Sequence, residues 1–155
     1  AALSNPAYPL SVAVGPLGVP HTVSATGFIN DDGVDAQNAL TLGDNHGAQA
    51  QLTSSLLAYG PRTATVAGSL GYLQSVGSIN NPRELVIGIG REGLRTETFD
   101  VVGIGYTYEL RDVTRCIQQG LAESPVMLLE DSIKTMRPFD GVRRPLGVSY
   151  PDHAH

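Results

Sequence analysis

The sequence predicts an α+β domain: an open, mainly antiparallel sheet of about six strands with helices packed on one face. Six or seven short β-prone segments follow one another between residues 21 and 102, separated by clusters of Gly, Pro, Asn and Asp. Two segments with helical spacing come after them, and one short helical segment stands in front. Strands and helices nowhere alternate, as a parallel βαβ sheet requires.

From Tyr8, the residues Leu10, Val12, Ala13, Val14 and Leu17 fit a short helix that stops at Gly18 and Pro20, with Pro9 in its first turn. Residues 21–30 read as a strand, and a slip in alternation at Gly27 predicts a bulge. After Asp31-Asp32-Gly33, residues 34–42 form a second strand, and Gly43-Asp44-Asn45-His46-Gly47 is a hairpin turn leading into 48–57. Residues 62–67, 71–76, 84–89 and 94–102 complete the strands. Over 105–120, Tyr106, Leu110, Val113, Ile117 and Leu121 recur at helical spacing and Gly120 supplies the stop. In the last helix, starting at Leu128, Leu129, Ile133 and Met136 share one face, and Pro138 is expected to kink or end it near Arg137.

A length of 155 residues is that of one domain. The hydrophobic content of 41% is globular, despite 18 Gly and 10 Pro. A net charge of −5 argues against a nucleic-acid partner, since no basic patch offsets it. Cys116 is the only cysteine, which excludes an internal disulfide and fits a cytoplasmic protein. The longest apolar stretch, residues 9–20, is too short and too broken by Gly and Pro to span a membrane. The first residues lack the basic and apolar blocks of a signal peptide, and also a starting Met, so a processed chain or a fragment is expected.

Several motifs invite a chemical reading. Gly88-Ile89-Gly90-Arg91-Glu92-Gly93 is a literal G-x-G-x-x-G. A dinucleotide site needs its last glycine to open a helix within a βαβ unit, whereas 94–102 is strand-like, so the expectation is a glycine-rich hairpin and no NAD or NADP bound by this chain. Asp31, Asp32 and Asp35 lack the alternation and distal Glu of a calcium loop and are expected in a solvated turn. His21, His46, His153 and His155 show no ligand spacing on a regular element, so no metal is assigned. Cys116, beside the apolar seam of its helix, is expected to be a half-buried small hydrophobe. Tyr8, at the head of a helix among few other titratable groups, could serve as a proton donor given a partner from elsewhere, although taken alone a core or surface tyrosine is the commoner reading.

A larger pattern joins these pieces. Gly103-Ile104-Gly105-Tyr106-Thr107-Tyr108-Glu109, then Val113-Thr114-Arg115-Cys116-Ile117, Gly120-Leu121, Glu123-Ser124-Pro125 and Leu129-Glu130-Asp131-Ser132-Ile133, run in one order. Upstream stand Gly33-Val34-Asp35, Ala48-Gln49-Ala50, Ser54-Ser55 and Val66-Ala67-Gly68-Ser69-Leu70-Gly71, and downstream Gly147-Val148-Ser149-Tyr150-Pro151. Together they resemble the C-terminal domain of the glucose-fructose oxidoreductase and inositol dehydrogenase family, in its dihydrodiol and D-xylose dehydrogenase-like branch.

The resemblance implies that residues 1–155 form a single substrate-binding and oligomerisation domain. Its parent would carry an N-terminal Rossmann domain that binds NAD or NADP and contributes a lysine from a Glu-Lys-Pro motif. The implied substrate is a sugar, polyol or dihydrodiol. Tyr8 matches the proton-transfer position of the family's Asp-x-Gly-x-His/Tyr motif, although Ser4 replaces its Asp and Pro6 its Gly. Those two departures leave a second reading, a non-catalytic binding or assembly module descended from the same domain. A homo-oligomer through the exposed sheet face is also expected, because residues 49–57 and 62–66 alternate β-branched or apolar residues with small polar ones such as Ser54, Ser55 and Thr63.

Overall fold

The computed structural model describes residues 7–91, 93–103 and 105–146. They belong to two compact units, one comprising Ala1–Tyr59 with Glu130–His155 and the other Gly60–Leu129. The fold is α+β, and the seven strands among the described residues are all antiparallel to their neighbours and divided between a three-stranded and a four-stranded sheet.

In the first unit, helix α1 (Ala7–Leu17) leads into β1 (Thr22–Ile29), β2 (Asp35–Gly43) and β3 (Gln49–Ser55), which pair in that order. The pairing is irregular close to the expected site, with a register shift between Phe28 and Ile29, but Gly27 itself pairs regularly with Asn38 and the extra residue is Ala36 of β2. Side chains alternate cleanly along β2: Ala36, Asn38, Leu40 and Leu42 are buried, while Gln37, Ala39 and Thr41 are exposed. Onto the buried side fold α1 and α3 (Leu129–Leu146), so that Leu10, Ala13, Leu42 and Phe139 form the core, with Val14, Leu17, Val23, Ala50 and Leu52 packed around it. Gly27 permits the close approach of α3 to β1, since a Cβ there would stand 2.9 Å from the Leu146 Cδ2 and 2.7 Å from the Gln37 carbonyl oxygen.

Pro138 does not end α3, contrary to the sequence expectation. Pro138, Phe139 and Val142 are all buried, and the apolar burial gained by continuing the helix offsets a helix-interior proline cost of about 3 kcal/mol. A second correction concerns Asp35. Asp31 and Asp32 lie in the solvated turn as expected, but Asp35 opens β2 and is fully buried, where its Oδ2 accepts a 2.7 Å hydrogen bond from Asn38 Nδ2. Burial of a carboxylate requires such partners. Ser54 is likewise turned inward, opposite the buried Asn38, whereas Ser55 shares the outer face with Gln37. Thr63 lies in the coil before the next strand.

The second unit is a meander of β4 (Thr65–Gly68), β5 (Gly71–Val76), β6 (Glu84–Ile89) and β7 (Leu94–Thr98), followed by helix α2 (Tyr106–Gln118). Strand β7 stops at Thr98 rather than 102, and the Val102 N–H donates to the Tyr108 hydroxyl at 2.9 Å in place of a ladder bond. Helix α2 ends where Gly120 predicts, through paired bonds from the Gly120 N–H to the Ile117 carbonyl (3.1 Å) and from the Leu121 N–H to the Cys116 carbonyl (2.9 Å). Its seam of Tyr106, Leu110, Val113 and Ile117 is exposed, and Cys116 is its buried residue. Cys116 is therefore more buried than the half-buried hydrophobe that the sequence suggested.

Candidate functional site

Tyr8 occupies the first turn of α1. Leu10, Ala13, Val14 and Leu17 recur at i, i+3, i+4 and i+7 and attach this helix to the core. Two residues along a helix subtend about 200°, so Tyr8 lies on the side away from Leu10. Its exposure of 41%, against 0% for Leu10, agrees. The phenol thus stands on the outer side of a helix whose inner side is locked. Ser4 and Pro6, which precede it, lie outside the described residues, as do His153 and His155.

The G-x-G-x-x-G stretch is a hairpin. Gly88 ends a ladder in which it pairs with Leu94, and β6 and β7 are antiparallel. A Cβ on Gly88 would stand 2.5 Å from the Tyr72 ring of the neighbouring strand, so the glycine accommodates an aromatic side chain. No helix N-terminus follows to receive a pyrophosphate, and this stretch does not fit a dinucleotide. Around it, Leu70, Tyr72, Arg91 and Leu94 line a shallow open cleft between two glycine-rich turns.

Sequence reasoning overlooked a polar cluster at the end of α2. The Asp112 carboxylate accepts hydrogen bonds from the Ser124 hydroxyl and the Arg115 guanidinium, and the Cys116 Sγ lies 4.0 Å away. Ser124 Oγ in turn accepts from the N–H groups of Val126 (3.0 Å) and Met127 (3.3 Å), while Glu123 Oε2 accepts from the Leu129 N–H (2.9 Å) at the first turn of α3. The available signal was Glu123-Ser124-Pro125 ahead of a helix, since such side chains satisfy orphan backbone donors.

The Ser124 hydroxyl, and after it Arg115, holds the Asp112 carboxyl below the ordinary value of 3.8. Because the folded pKa is depressed, the stabilisation is complete above the unfolded value and disappears as pH falls through the folded one. Thermal melts should therefore show the wild type losing stability more steeply than Asp112→Asn as pH is lowered from about 4. Parallel profiles would show that the cluster contributes nothing to stability. In the β2–β3 turn, burial raises the Asp44 carboxyl but is outweighed by hydrogen bonds from the N–H groups of His46 and Ala48, both 2.8 Å, so its pKa lies below the usual range. His46 belongs to that turn, as the sequence suggested. Among the described residues, no three His, Cys, Asp or Glu side chains are grouped to hold a metal ion, and no helix is long and apolar enough to cross a membrane.

Comparison with known proteins gives the chain its kinship. No family model matches it. It is 32% identical over 142 residues to a trans-1,2-dihydrobenzene-1,2-diol dehydrogenase of Xenopus tropicalis, and 34% identical over 145 residues to that of Macaca fuscata fuscata. These alignments take in 85% and 88% of the chain but 42% of each relative, so the chain spans about two-fifths of their length. Among solved structures, an aldose-aldose oxidoreductase from Caulobacter crescentus superposes with a TM-score of 0.73 at 18% identity, covering 90% of this chain and 43% of that one. A 3-ketoreductase from Actinomadura kijaniata, solved with NADP, gives 0.71 at 20% identity, covering 92% and 46%. The chain is thus related in sequence to the dihydrodiol dehydrogenases over about two-fifths of their length, and it shares its fold with part of these oxidoreductase structures, as the resemblance implied.

Proposed function

We propose that the chain is the C-terminal, substrate-binding and oligomerisation domain of a cytoplasmic NAD(P)-dependent dehydrogenase acting on a sugar, polyol or dihydrodiol, with Tyr8 as its proton-transferring residue. The observation that carries this reading is the placement of Tyr8 on the solvent side of a core-anchored helix, in a chain related to dihydrodiol dehydrogenases. The nicotinamide cofactor belongs to a Rossmann domain outside these residues, because the one glycine motif of the chain is a hairpin. Calorimetric titration tests this: the isolated chain should bind neither NAD nor NADP, and the full-length protein should bind one of them. Micromolar binding by the isolated chain would refute that division of labour. A parent gene without an upstream Rossmann domain and its Glu-Lys-Pro motif would favour the assembly-module reading, to which the Ser4 and Pro6 departures already point.

The oligomer is assigned to the outer face of the first sheet. Ser24, Thr26, Gln37, Thr41, Gln51 and Thr53 share that face by register, and none is charged. Such a flat, uncharged antiparallel face can meet its own copy about a two-fold axis. Light scattering should give a dimer or larger species for the wild type, and Thr41→Arg at the centre of the face should shift it to monomer. A wild-type monomer at high concentration would overturn the assignment.

A further inference from the structure

We infer that Phe139, on α3, is a positioning residue for Tyr8, acting through Leu10; the inference rests on the proton-transfer reading of Tyr8. Helix α1 has only 11 residues and contains Pro16 in its last turn. A helix this short is marginal by itself, so packing decides where it sits. Within the core cluster its first half contributes Leu10, 0% exposed, together with Ala13, and these share the cluster with Phe139 from α3 and Leu42 from β2. Phe139 is the largest side chain of the four, and it comes from a helix remote in sequence. Tyr8 is two residues from Leu10 on the opposite side of the same turn, so a shift of Leu10 into space vacated by Phe139 carries the phenol with it. Hydrogen-bonded proton transfer tolerates little such movement, since a displacement of about 1 Å costs roughly 10²-fold in rate. No group of Phe139 takes part in the chemistry.

The test is a double-mutant cycle in the full-length protein with Tyr8→Phe and Phe139→Leu, with trans-1,2-dihydrobenzene-1,2-diol and NADP as probes. It is accompanied by fluorine NMR of 3-fluorotyrosine-labelled protein, in which the Tyr8 resonance is the one that Tyr8→Phe removes. Phe139→Leu should lower kcat by roughly 10-fold or more when Tyr8 is present and by less than about twofold when it is absent. It should also shift the Tyr8 resonance while leaving those of Tyr72 and Tyr108 in place. Leu10→Val, altering the contact from the side of α1, should move the same resonance and guards against misfolding of a single variant. An unmoved Tyr8 resonance in both variants, or an equal kcat loss in both Tyr8 backgrounds, overturns the positioning role. Loss of the Tyr8 resonance without any change in turnover overturns the reading of Tyr8 itself, so the two failures are separable.

Discussion

Tyr8→Phe in the full-length protein is expected to lower turnover by roughly 10²- to 10⁴-fold, the range for loss of a positioned acid or base. The physical reason is charge balance at the substrate oxygen. When a hydride leaves or reaches a carbinol carbon, that oxygen must lose or gain a proton, and exchanging it is the role proposed for Tyr8. The substitution removes one hydroxyl from a residue that is 41% exposed, on the side of α1 away from the core. Its effect on stability should therefore lie within about 0.5 kcal/mol, as for surface changes in general. Steady-state kinetics with a thermal melt on the same sample separates the two effects. Turnover within a few-fold of wild type would reduce Tyr8 to a surface side chain.

Leu42→Ala should destabilise the first unit by about 2–5 kcal/mol, the range for truncating a buried leucine. Leu42 is fully buried at the centre of three layers of contact, with α1 supplying Leu10 and Ala13 and α3 supplying Phe139. Removal of its side chain leaves a cavity bounded by a sheet and two helices, none of which can collapse into it without losing its other contacts. Since domains retain about 5–15 kcal/mol in all, this single change consumes a large share. Urea denaturation monitored by circular dichroism should show a lower midpoint with an unchanged slope. A loss under about 1 kcal/mol would mean that Leu42 is not part of the core.

The elements of the fold were legible because local rules govern them. Strand positions followed from alternation and turn chemistry, the bulge near Gly27 from a break in that alternation, and the end of α2 from Gly120. The hairpin nature of Gly88–Gly93 was legible for the same reason: the residues after it alternate as a strand. Tyr8 was legible as a candidate through its place at a helix head and through the resemblance of the whole chain to a family. What failed depended on distant neighbours. Pro138 is locally a helix breaker, and α3 continues past it because Phe139 joins a core made by α1 and β2 and Val142 is fully buried. Asp35 reads locally as one of three aspartates in a turn, but it opens β2 at the register shift that pairs it with Ile29, where the alternation breaks and both Asp35 and Ala36 are buried. The Asp112–Ser124 contact joins residues 12 apart across a loop, a separation at which side-chain spacing carries no periodic signal.

The sequence by itself determined the order and type of the elements, their antiparallel hairpins and the kinship of the chain, since each rests on local backbone preference or on the order of short motifs. Only the tertiary structure decided which faces are buried. It set Leu10 and Phe139 against Leu42, turned Asp35 and Ser54 inward, and left the apolar seam of α2 exposed. The physical reason is that burial is a property of a pair of surfaces: a periodic apolar stripe specifies a face capable of being covered, whereas the partner that covers it is chosen by the packing of the folded chain.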